Sequence, residues 1–209
     1  MKRADELPAR IATLFAPPRG ESARFQIVQG PGEVFVEEMQ KEGAARIACR
    51  FPEGFVAIPW RLQSGDLRPI GSEKNADGAL LLLRPDGGIE AHVMECKQTI
   101  TSSKWKEVLE QLAWTVIRLL AIAGALHERV ARVVLYTAFR NDDLSLDDAA
   151  DPVQYKLAIE EAEASPMVRR DLQWMSPDIE LPGWASRFPH VKVQKDERGH
   201  AALDLRLGG

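Results

Sequence analysis

Cysteine is scarce in this chain, basic charge is not in excess, and there is no long apolar run and no repeat. Each absence narrows what the chain can be. Two cysteines, Cys49 and Cys96, among 209 residues are too few for a disulfide framework. Both are expected as buried thiols in a reducing compartment. The formal net charge of -4 gives no general attraction to nucleic acid. A polyanionic partner would have to be held by local basic groups or a bound metal. No secretory signal is legible, because Met1-Lys2-Arg3 leads into charged and polar residues. The most apolar stretch, Val116 to Leu126, is short and contains Arg118, which argues against a membrane span. The expectation is a cytoplasmic chain without a membrane partner. Its length and its apolar content of 45% suit one domain, 1–209, with a sizeable core.

What is present centres on residues 75–97. Two apolar stretches, Ala79 to Leu83 and Ala91 to Cys96, flank a Pro-Asp-Gly-Gly turn signal at Pro85 to Gly88. That is the pattern of an antiparallel hairpin. Asp77 lies nine positions before Asp86 and Glu95 nine after it. A regular hairpin centred there sets the two carboxylates opposite each other, with Cβ atoms roughly 5 Å apart. Period-2 alternation puts Lys97 on the face of Glu95 and turns Cys96 away. A one-residue bulge would undo this register.

Two carboxylates held that close repel, and one tends to keep its proton unless a cation intervenes. Mg2+, for which Mn2+ can substitute, takes oxygen ligands and keeps waters that substrate phosphate oxygens can replace. A neighbouring lysine can then hold an attacking water or offset charge growing on the phosphate. The constellation suits metal-assisted hydrolysis of a phosphodiester.

In these residues the chain resembles the PD-(D/E)xK, or restriction-endonuclease-like, nuclease superfamily. Asp77 matches the first acid, Glu95 the second and Lys97 the lysine. The proline that often precedes the first acid is replaced by Ala76. The resemblance spans about residues 33–138. It implies an α/β fold with a mixed central sheet flanked by helices, and Mg2+-dependent cleavage of DNA or, less often, RNA. It also implies that an acid on the helix before the first core strand joins the metal site, for which Glu38 is the first choice and Glu42 the second. The metal set is then Asp77, Glu95, the backbone carbonyl of Cys96, and Glu38. A glutamine on the helix after the motif often points back at such sites, and Gln111 stands there. Many members are dimers, so a homodimer is a further expectation.

The tripeptide itself is weak evidence. With nine lysines in the chain, roughly one acid-x-Lys is expected by chance. Its weight comes from the strand before it, the acid opposite it and the helix after it. The competing reading makes Asp77 a turn residue and Glu95 and Lys97 solvated edge charges.

Along the rest of the chain, residues 4–15 suit a packing helix with Leu7, Ile11, Leu14 and Phe15 on one side. A loop follows, with a short strand at Phe25 to Val28. Residues 33–42 read as a second helix, with Val34, Phe35 and Met39 on its apolar face. Arg46 to Arg50 and Phe55 to Leu62 read as strands, and a polar loop carries Arg68 and Lys74 to the motif. Thr101-Ser102-Ser103 caps a helix from about Lys104 to Leu126. Lys104, Glu107, Gln111 and Arg118 share one of its flanks. Arg68, Lys74, Lys104 and Lys106 are the candidate nucleic-acid contacts.

Val130 to Phe139 reads as a core strand. The acidic loop 141–151 lacks the glycine and terminal glutamate of an EF-hand. A helix is expected at 152–164, then a proline-broken segment whose Trp174, Trp184 and Phe188 serve packing rather than base stacking. Residues 191–207 read as a closing hairpin, so 139–209 is expected to be an extension of the core. The expected function is a metal-dependent endonuclease, in a defence or mobile-element setting. The alternative is an inactive nuclease fold kept for protein interaction or nucleic-acid binding.

Overall fold

The buried alternation of the strands sorts the molecule into layers. The computed structural model describes residues 6, 7, 9–11, 13, 25–39, 44–60, 74–144 and 165–205. Its strands are β1 (Val28–Gln29), β2 (Gly32–Glu38), β3 (Ala45–Phe51), β4 (Val56–Trp60), β5 (Gly78–Leu83), β6 (Ile89–Cys96) and β7 (Thr99–Ile100). Helix α1 (Ser102–Ala125) leads to β8 (Val130–Phe139) and β9 (Asn141–Asp142). Helix α2 (Pro166–Leu172), a 3-10 turn, β10 (Asp178–Glu180), β11 (Arg187–Gln194) and β12 (His200–Asp204) complete the described part.

Seven strands form a mixed central sheet in the order β1-β4-β5-β6-β8-β11-β10. Every residue of β5 and β6 is buried, as required of strands covered on both faces. From β1 to β6 the pairing is antiparallel, whereas β6–β8 and β8–β11 are parallel. The parallel step from β6 to β8 needs a crossover, and α1 supplies it. Thr101 caps that helix, its hydroxyl accepting from Lys104 N. Odd-numbered residues of β5 and β6, such as Leu81 and Val93, pack with Leu109, Leu112 and Val116 of α1 and with Leu7 and Ile11. Residues 6, 7, 9–11 and 13 are helical, as expected of the N-terminal segment. Helix α1 is long and apolar enough to cross a membrane, but 56% of its most apolar window is buried inside the fold.

The other face corrects the expected architecture. The helix expected at 33–42 is replaced over its described part by a strand: residues 32–38 form β2, with Val34 and Val36 buried and Glu33, Phe35 and Glu37 outward. β2 pairs antiparallel with β3, and β12 pairs parallel with β3, giving a second sheet ordered β12-β3-β2. This sheet covers Leu80, Leu82, Met94, Cys96 and Tyr136. The central sheet is therefore flanked by helix on one face and by a small sheet on the other.

The closing hairpin is a second correction. A tight turn joins β11 and β12, with Asp196 accepting from Arg198 N and His200 N. The strands then part, β11 joining β8 in the central sheet and β12 joining β3 in the small one. Residues 187–204 thus complete both sheets rather than extend a finished core. The 165–189 segment is more regular than its prolines suggest, since Pro166 falls at the start of α2, where it needs no amide partner. Trp174 is fully buried against Trp105 and Phe139, with ring centroids 5.1 and 5.2 Å away. Its indole N–H donates to Asp142, confirming a packing role. The expected helix at 152–164, Glu42, Arg68, Leu14, Phe15 and the end of the acidic loop lie outside the described residues.

Candidate active site

β5 and β6 pair without a slip from Gly78↔Met94 to Leu83↔Ile89. Continued by one residue, that register sets Asp77 opposite Glu95, as the nine-residue counts require. The turn between the strands is closed by Arg84 N donating to Gly88 O at 2.9 Å, with Gly87 at a φ of +86°. Asp77, Glu95 and Lys97 continue the odd-numbered face, under α1, and the Cys96 side chain joins the opposite apolar cluster.

Hydrogen bonds tie the acids together. Cys96 N donates to Asp77 Oδ2 at 2.7 Å, and Asp77 N donates to Glu95 Oε2 at 3.2 Å. Lys97 Nζ donates to Glu95 Oε1 at 2.5 Å and lies 3.5 Å from Glu107 Oε1. The N–H and C=O of one strand residue point to the same side. The Cys96 carbonyl therefore leaves β6 toward Asp77. Glu38 reaches Asp77 from β2, in hydrogen-bond contact with its carboxyl group. Glycine at position 78 permits this approach, because a Cβ there would stand 2.5 Å from Val36 Cγ2.

The charges in this cluster are not balanced. Burial pushes the Asp77 carboxyl far above its usual range, and the charges of Glu95 and Glu38 push the same way against the bond from Cys96 N. Burial also raises Glu95, and the attraction of Lys97 only partly offsets it. For Lys97, burial works downward but Glu95 outweighs it, so the ammonium is held charged. An Asp77 carboxyl in contact with Glu38 and repelled by Glu95 retains a proton or takes a cation.

The cluster opens on a cleft of about 860 Å³. Glu38, Asp77, Glu95, Cys96, Lys97, Lys104 and Gln111 all line it. Gln111 Nε2 donates to Asn75 O at 3.2 Å, while its buried Oε1 has no partner among the described residues. Two expected nucleic-acid contacts are displaced. Lys74 does not line the cleft and is ion-paired with Glu110. Lys106 is exposed but lies off the cleft, because the helical turn carries it away from Lys104.

Four residues at the site were not anticipated. Arg140 and Arg198 are exposed on the cleft lining. Glu107, seen only as part of a polar flank, bridges Lys97 and Lys104. Lys195 is buried, and its charge acts on Cys96 and Asp77. Arg198 and Lys195 come to the site through the β11–β12 turn. That turn docks where a Cβ on Gly199 would stand 2.4 Å from Ala44 O, with Gly199 at a φ of +82°. A local pattern could flag this turn but not its destination.

Asp77 and Glu95 are each held by a backbone amide, and among the described residues no three His, Cys, Asp or Glu side chains form a ready-made metal set. The chemistry of the donors nevertheless fits a hard divalent cation: the buried Glu95 and half-buried Asp77 carboxylates, a third carboxylate in contact with Asp77, and a strand carbonyl on the same side. No family model matches the chain, and neither does any curated protein or solved structure.

Proposed function

We propose that the chain is a metal-dependent nuclease with a restriction-endonuclease-like core, acting on DNA in preference to RNA. The observation that carries this reading is the unbroken β5–β6 register, which brings Asp77 against Glu95 with Lys97 on the same face. Asp77, Glu95 and the Cys96 carbonyl, with Glu38 beside Asp77, would hold Mg2+ or Mn2+. Such an ion supplies positive charge at a phosphoryl oxygen and lowers the pKa of bound water.

The chain's own residues supply the rest. Lys97, kept charged by Glu95, offers its ammonium to the attacking water or to charge growing on the phosphate. Gln111 has a free buried acceptor with which to orient that water. Lys104, Arg140 and Arg198 on the cleft lining take the flanking phosphates, in place of Lys74 and Lys106. A formal charge of -4 then does not oppose binding, because these cations are local.

The test is cleavage of DNA and RNA panels with Mg2+ or Mn2+ by wild type, Asp77→Ala and Lys97→Ala. Activity in wild type alone supports the reading. Equal activity in all three preparations would mark a contaminant. Nucleic-acid binding without cleavage would favour an inactive nuclease fold used as a binding module.

A further inference from the structure

We infer that α1 carries a polar clamp that fixes residues 74–76 and so aims Asp77 at Glu95, which makes Thr115 and Arg118 positioning residues. The inference rests on the nuclease reading and adds to it the device that places the first acid.

Helix α1 is apolar over most of its second half, yet Thr115 and Arg118 are buried there at 0% and 1% exposure. Buried polar groups cost stability unless they are hydrogen-bonded, so their partners indicate what they hold. Each has a partner among the three residues before Asp77. Thr115 Oγ1 accepts from Ala76 N at 2.7 Å, and Arg118 Nη1 donates to Lys74 O at 2.7 Å. Gln111 Nε2 donates to Asn75 O, and Glu110 pairs with the Lys74 ammonium. Positions 111, 115 and 118 fall at i, i+4 and i+7, one stripe of the helix.

The clamp is needed because the sheet stops short. The β5 ladder ends at Gly78, so Asp77 lies beyond the last paired residue. In a continued ladder, Cys96 N would meet the backbone of residue 76. Here it donates to the Asp77 carboxylate instead, while the Ala76 amide turns to Thr115. With no strand pairing at residues 74–77, the helix sets the direction from which Asp77 enters. Misplacing a reacting group by about 1 Å can cost 10²-fold in rate.

The experiment compares Thr115→Val, which removes the acceptor at nearly constant volume, with Thr115→Ser, which restores it. Arg118→Met tests the second contact. Val116→Ala, on the same turn but facing the apolar cluster, serves as the packing control. Mn2+ affinity is read by EPR titration of the full chain, and hydrogen exchange at the Cys96 amide is read against amides in the middle of β6. Thr115→Val and Arg118→Met are expected to weaken Mn2+ binding about tenfold and to speed exchange at Cys96 selectively. Thr115→Ser should keep both at the wild-type level, and Val116→Ala should lower the melting temperature while changing neither. Wild-type affinity and exchange in Thr115→Val would overturn the clamp, as would Val116→Ala reproducing both losses. If wild type itself binds no Mn2+, the nuclease reading fails, and exchange at Cys96 alone decides the clamp.

Discussion

β6 buries two glutamates five residues apart on opposite faces of the central sheet, and their carboxyl groups are shifted in opposite directions. Glu90 faces the small sheet. His92 Nε2 lies 3.4 Å and Arg84 Nη1 3.6 Å from its carboxylate, while His92 Nδ1 meets Tyr136 Oη at 2.9 Å. The contact with His92 holds the Glu90 carboxyl below its usual range despite burial. The void beside His92 and Tyr136 is only about 10 Å³, no room for a ligand. Glu95 faces α1, is raised by burial in spite of Lys97 at 2.5 Å and the Asp77 N–H, and opens on a cleft of about 860 Å³ beside the raised carboxyl of Asp77. A buried acid whose neighbours neutralise it is complete. A buried acid that stays raised despite a lysine beside it, next to another raised acid and open space, is a candidate for binding chemistry.

The sharpest way to separate the two sites is activity. Lys97→Ala is expected to lower cleavage about 10²- to 10³-fold, whereas Tyr136→Phe, on the other face, should leave the rate unchanged. Equal losses in steady-state assays of both variants would erase the contrast.

Stability should show the reverse ranking. Glu90→Ala leaves the buried His92 Nε2 without its neighbour, while Arg84 keeps Asp86, and should cost about 2 kcal/mol in denaturant unfolding. Asp77→Asn removes a repelled carboxylate and should stabilise the metal-free protein at pH 8.

The pH dependence follows from the same imbalance. In the folded chain Asp77 titrates at about 8 and Glu95 at about 7, above their ordinary values of 3.8 and 4.5. The folded state thus binds these protons more tightly than the unfolded state does. The associated stability is fully present below about pH 4 and is lost as pH rises through 7 and 8. In EDTA the melting temperature should therefore fall across that window. The fall should be smaller in Asp77→Asn, and Mg2+ should flatten it in wild type. A wild-type curve parallel to that of Asp77→Asn would remove the repulsion.

The smallest effect belongs to Tyr136→Phe, which deletes one buried hydrogen bond to His92. It should cost about 1 kcal/mol and leave Mg2+ affinity by calorimetry unaltered.

The hairpin and its acids were legible because the turn residues and the apolar stretches agree on one register, and no long-range contact was needed to choose it. The same holds for α1, which has a cap at Thr101, and for β8, rich in β-branched residues. β2 was not legible. Its charged residues satisfy helical and strand spacing alike, and the decision lies in β3. There Arg50 meets Glu33 at 2.9 Å and Arg46 meets Glu37 at 3.2 Å. Phe35, expected in a core, points outward with the Arg46 guanidinium 4.1 Å from its ring centre. Glu38 was named for its place in a helix and reached the acid cluster as the end of a strand. Arg198 could not be named, because pairing far along the chain brings the β11–β12 turn to the cleft, and Arg140 arrives there only because β8 runs parallel to β6 and ends beside the motif.

That turn also governs when the site can exist. β12 pairs with β3 across roughly 150 residues of chain, the kind of contact that forms late and slowly. Until it forms, β2 and β3 make a two-stranded ribbon, and the wall of Glu197, Arg198 and Gly199 is missing from the cleft. During synthesis the acid hairpin can therefore be complete while its cleft is not. A chain truncated before residue 200 would carry the acids without β12 to hold that wall in place.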